Sequence, residues 1–240
     1  MAEQITQTRT APPGDPDMLP SLWWLWLPIA AILALLAVDQ LFPPGARSWV
    51  GSEQGLVEFL HVVLPLASLL VALRMLFMPE RRQHPWLWLW LALAAAGSFY
   101  VAGEEASWGQ HYLQWATPES WQAINDQGET NLHNTSSWFD QKPRILLELG
   151  VVIGGILIPL AALRRPAIRR MRFAVIFPPL ICLPSALLAE IARASERLLD
   201  LLDPGTQIFS RASEVQETYF YFFILLYLIV LRRRLLAGAA

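Results

Sequence analysis

The side chains best suited to chemistry in this 240-residue chain are carboxylates and imidazoles gathered at what should be one end of a set of apolar helices. Glu58 and His61 stand three apart, the spacing that puts both on one helical face. Glu104 and Glu105 follow an apolar run, and Gln110, His111, Glu129, Asn131, His133 and Asn134 come soon after in a polar stretch. Imidazole and carboxylate are the donors that hold a divalent metal ion. A cation held by His61, His133 and either Glu104 or Glu105, with Glu104 the ligand preferred, would make a bound water acidic, with the other glutamate as general base. Trp108, Glu129, Asn131, Asn134 and Arg193 are the expected substrate contacts, Arg193 offering a fork for phosphate or carboxylate. HExxH, GxSxG and CxxC strings are absent, so the easily recognised zinc, serine and thiol chemistries are not indicated.

The elements that must position these groups are membrane spans. Hydrophobic residues make up 55% of the chain and charged ones 16%, with a mean hydropathy of +0.38, outside the range of soluble domains. Six stretches match the roughly 20 apolar residues that cross a bilayer: 22–41, 56–78, 85–104, 145–164, 173–192 and 214–232. The expected fold is all-α, one polytopic bundle over 22–240 preceded by a disordered tail over 1–21. Pro178, Pro179 and Pro184 predict a kink in the fifth span. Ser213 with Gln216 reads as a capping box for the sixth. Cys182 sits alone in an apolar run as a small core residue. A net charge of −2 gives no basic face for nucleic acid.

Orientation follows from arginine. Arg9, Arg74, Arg81, Arg82, Arg164, Arg165, Arg169, Arg170, Arg172, Arg232, Arg233 and Arg234 fall in one set of connections, twelve of the eighteen basic residues, so both termini should be cytoplasmic. Sixteen of the twenty acidic residues fall on the other side. Helix N-termini favour such anions, which accounts for Glu58, Glu148 and Glu217. Asp39, Glu104, Glu105 and Glu190 lie at C-termini, where the macrodipole repels them, and must gain from a partner; Arg193, three residues after Glu190, is one candidate.

The connection at 105–143 is longer than adjacent helices require and should be a structured outer cap. A third helix continued past the membrane would align Glu104, Ser107 and His111. Thr117 and Pro118 should cap a short surface helix, and Gly128 should turn the chain back toward the bundle. The run Gly103-Glu104-Glu105-x-Ser107-Trp108-Gly109-Gln110, with Thr117-Pro118-Glu119 and Asn131-Leu132-His133-Asn134, resembles the signature of an uncharacterised family of bacterial multi-pass membrane proteins. That resemblance implies membership and a bacterial inner-membrane location rather than an activity, and it makes Glu104, Glu105, Gln110 and His133, which match it, the expected catalytic groups. His111 stands where that family commonly has arginine, so the resemblance gives it no ligand role.

Three function classes remain. The first is a metal-assisted hydrolase or transferase acting on a membrane lipid or lipid-linked substrate. The second is a non-catalytic binding or assembly subunit. The third is a cation or solute transporter, disfavoured because the inner halves of the helices carry almost no ionisable groups.

Overall fold

The structure is a computed structural model that describes residues 15–51, 55–79, 84–125, 128–132, 135–203 and 206–238. Every regular element among the described residues is helical. Five stretches are long and apolar enough to cross a membrane: α1, Leu22–Leu41; α2, Leu56–Leu76; α3, Leu87–Glu105; α4, Gln141–Arg164; and the stretch Ala174–Leu202, whose regular part is α5, Leu183–Leu202. Their outward faces carry leucine, phenylalanine and tryptophan, exposed as lipid contact demands. The composition and length of these helices make this a membrane protein.

The last helix, α6 (Ala212–Leu236), differs from the rest. It carries fourteen buried residues, among them Phe220, Leu228 and Leu231, and packs against α2 and α5, while α2 packs against α3. It is the axis of the bundle. Expected at 214–232 as a sixth span, it stands apart from the five helices that meet the length and composition criteria. Gly155 shows how tightly α4 approaches this axis: a Cβ there would sit 2.7 Å from both Ala186 and Phe223. Trp90 on α3 donates its indole N–H to Tyr227 on α6 at 2.7 Å.

Two expectations about helix shape change. The fifth span is not a kinked helix over 173–192. Pro178 and Pro179 keep the chain out of the helix, leaving short 3-10 turns at Ala174–Ile176 and Leu180–Cys182, and regular helix then runs ten residues past the expected end. Backbone carbonyls freed inside a membrane need donors. Arg234 supplies them, with Nη1 donating to Val175 and Phe177 at 2.8 and 2.7 Å, while Nε and Nη2 grip Asp17 at 2.5 and 2.9 Å. Residues 15–20 of the expected tail are thus tied to the bundle, and 1–14 lie outside the described residues. The capping box at Ser213 is also absent: Arg211 is the N-cap residue of α6, with no side-chain cap. Gln216 turns inward, fully buried, and accepts a hydrogen bond from Arg144 at 2.9 Å.

Candidate functional site

Chain direction brings the starts of α2, α4 and α6 and the ends of α1, α3 and α5 to the bundle end remote from the arginine-rich connections. Glu58 and His61 lie on the first two turns of α2, and Glu105 is the last residue of α3. His61 Nδ1 is 3.3 Å from Glu105 Oε2 and 4.0 Å from Glu58 Oε2. One donor atom from each of the three lies within 4.8 Å of the other two. Ions bound at roughly 2.0–2.2 Å from nitrogen and oxygen hold their donors about 3–4 Å apart, so this set has the right span for one cation.

The imidazole is oriented from behind by α6. His61 is buried, and its Nε2 lies 2.8 Å from Thr218 Oγ1 and 3.1 Å from the Glu214 carbonyl oxygen. A carbonyl only accepts, so Nε2 carries the proton. Thr218 gives its own hydrogen to that same carbonyl at 2.9 Å and accepts from the imidazole. In the neutral ring the lone pair is then on Nδ1, directed toward the two carboxylates. Glu105 is held in turn by Tyr221, whose hydroxyl donates to Oε1 at 2.8 Å.

More charged groups surround these three. Glu214 and Glu217 on α6 are electrostatic neighbours of His61, and the cluster contains Arg211 and Arg144 as its cations. Arg211 pairs with Glu214 and lies 3.4 Å from Glu58; Arg144 lies 3.2 Å from Glu217. Among the described residues, four carboxylates meet two guanidinium groups and one imidazole at the mouth of an apolar bundle. Like charges are costly to hold together where water is scarce, and either a proton on His61 or a bound cation reduces their repulsion. Glu214 Oε2 is buried and has no hydrogen-bond partner among the described residues.

The neighbouring glutamate has a different task. Glu104, expected beside His61 as a ligand, is 3% exposed and turns into the cap. Its Oε1 accepts the Trp108 indole N–H and its Oε2 the Leu132 backbone N–H, both at 2.7 Å. Helix α3 does not continue to align Ser107 and His111 with it. The chain leaves the helix after Glu105 through three consecutive left-handed residues, Ser107 (φ 44°), Trp108 (φ 54°) and Gly109 (φ 103°). This reversal folds the Trp108 ring back over α3, onto Gly103 and edge-on to Phe99 at 5.7 Å between centroids. A side chain at 103 would meet that ring at 2.7–2.8 Å, so glycine is required.

The remaining cap residues bind one another. Ser107 donates to Glu129 at 2.6 Å, and Asn131 donates to Glu129 at 2.6 Å and to Ser107 at 2.9 Å. Gln110 accepts from Thr130 N at 2.8 Å and donates to Thr117 Oγ1 at 2.6 Å, while Thr117 donates to the carbonyl of Gly128. Thr117 therefore does not cap the short helix Glu119–Gln122, whose N-cap residue is Pro118. Gly128 has φ 68°, the left-handed turn expected of it.

Other expected groups are dispersed. Arg193 pairs with Glu196 on the next turn rather than with Glu190, and Arg197 lies 3.7 Å from Glu148. Asp39 finds Arg47 at 3.2 Å and the Ser210 hydroxyl at 2.7 Å, partners that offset its place at the end of α1. His133 and Asn134 lie outside the described residues, as does the side chain of His111. Sequence reasoning placed Glu58 beside His61 but missed it as a ligand, and missed Thr218 and Tyr221 altogether; their spacing from Glu214, at four and seven residues along one face of α6, is the signal that could have found them.

No family model, curated protein or solved structure matches this chain.

Proposed function

We propose that this chain is a bacterial inner-membrane protein of six spans, both termini cytoplasmic, that holds a divalent cation through Glu58, His61 and Glu105 at its outer end. With that cation it catalyses hydrolysis or group transfer on a lipid or lipid-linked substrate. The observation that carries the reading is the presentation of His61 Nδ1 to two carboxylates by a ring whose other nitrogen donates to Thr218 and to a carbonyl. One imidazole and two carboxylates leave coordination positions for water and substrate and suit zinc, manganese or iron. The cation would supply Lewis acidity and an acidic bound water. Glu214, with an unpartnered oxygen beside this cluster, is the chain's own choice of base. Glu105 ends α3 and His61 stands on the second turn of α2; in a bilayer crossed by these helices, such a site would meet lipid headgroups and their ester linkages.

Metal analysis of the purified protein should find one divalent ion per chain, lost in His61→Ala and Glu105→Gln while thermal unfolding remains cooperative. In nanodiscs of mixed membrane lipids, mass spectrometry should detect a lipid product that a chelator suppresses. A native preparation that neither contains nor takes up metal overturns the reading. Metal retained without any lipid turnover overturns the enzymatic half and leaves a metal-holding assembly subunit.

A further inference from the structure

We infer that Tyr221 is a positioning residue that decides which oxygen of Glu105 faces the cation, an inference that rests on the metal reading above. The two oxygens of this carboxylate have separate neighbours: Oε1 accepts the Tyr221 hydroxyl at 2.8 Å, and Oε2 faces His61 Nδ1 at 3.3 Å. A glutamate at the last position of a helix has three side-chain torsions and a macrodipole that disfavours it. Held at Oε1 by the tyrosine hydroxyl, the carboxylate turns Oε2 to the imidazole.

Tyr221 is suited to that task. It is buried in the long central helix, and its ring meets the His61 ring edge-on, with centroids 5.3 Å apart and planes at 89°. Its position is thus fixed by the imidazole whose metal partner it also aims. Residues 214, 218 and 221 form one face of α6, so a single rigid helix sets both the His61 tautomer and the Glu105 rotamer. Ligand-orienting hydrogen bonds of this kind typically change metal affinity by about 10–100-fold when removed.

The test uses Co²⁺ as probe on the full-length protein in detergent, with affinity read against a competing chelator and geometry read from the visible ligand-field bands. Tyr221→Phe keeps the ring against His61 and deletes only the hydroxyl. It should bind Co²⁺ about 10–100-fold more weakly, with altered bands. Affinity and spectrum equal to the native protein's overturn the inference, whereas a native protein that binds no Co²⁺ overturns the metal reading beneath it. Thermal unfolding in chelator guards against a loss through general destabilisation. Metal-free Tyr221→Phe should unfold cooperatively near the native temperature, and weak Co²⁺ binding accompanied by collapse of the metal-free fold would overturn the assignment.

Discussion

Glu104 and Glu105 are adjacent in sequence, yet one belongs to the cap and the other to the bundle. Successive helical residues point about 100° apart. At the last turn of α3 this sends Glu104 toward Trp108 and Leu132 and Glu105 toward His61 and Tyr221. The hydrogen bonds to Glu104 close the knot that also contains Ser107, Gln110, Thr117, Glu129, Thr130 and Asn131. Around Glu105, among the described residues, four carboxylates gather with two guanidinium groups and an imidazole. The first network joins its members by hydrogen bonds; the second brings like charges together, an arrangement that a cation relieves.

The largest expected effect separates the two. Glu104→Ala leaves a buried indole N–H and a backbone N–H without their charged acceptor, which should cost about 3 kcal/mol and expose the cap to proteolysis. The folded fraction should still bind metal. Glu105→Gln should do the reverse, abolishing metal binding while the metal-free protein still unfolds cooperatively and the cap stays resistant to proteolysis. Thermal unfolding with and without chelator, together with metal content, reads both variants. Loss of metal in Glu104→Ala protein that remains folded would erase the distinction between the two regions.

A smaller effect tests how the cap is held. Gly103→Val would push a side chain into the Trp108 ring, 2.7 Å from where its Cβ must go. Overpacking of this kind costs about 1–3 kcal/mol. The indole should leave Glu104, read as a change in tryptophan fluorescence and faster cleavage within 105–132, with metal content unchanged. Native fluorescence and cleavage in this variant would mean that the fold-back of Trp108 does not hold the cap.

Five of the six expected spans were legible because apolar length is a property of composition, and Glu58 with His61 because i, i+3 on a helix is a fixed geometry. The allocation of Glu104 and Glu105 was not. It depends on where α3 stops, and the stop is made by left-handed Ser107 and Trp108, residue types that give no warning of positive φ. Tyr221 and Thr218 were equally hidden, since inside an apolar helix they read as ordinary packing until α2 and α3 are set against them. The structured cap was foreseeable from its length and its turn at Gly128. The hydrogen bonds that join its residues were not, because amides and carboxylates that bind each other have the same composition as those that bind substrate.

The smallest effect concerns the rear of the imidazole. Thr218→Val removes the hydroxyl that accepts from His61 Nε2 and leaves the carbonyl of Glu214, 3.1 Å away, to take the whole bond. The tautomer therefore survives, because the carbonyl still requires the proton on Nε2, and Nδ1 still faces the carboxylates. Metal affinity should fall by about tenfold or less, at the low end for ligand-orienting groups and below the loss expected for Tyr221→Phe. A drop as large as that of His61→Ala would mean that the carbonyl alone cannot hold the ring. An unchanged affinity would mean that the carbonyl suffices and that, of the α6 side chains, Tyr221 alone aims the site.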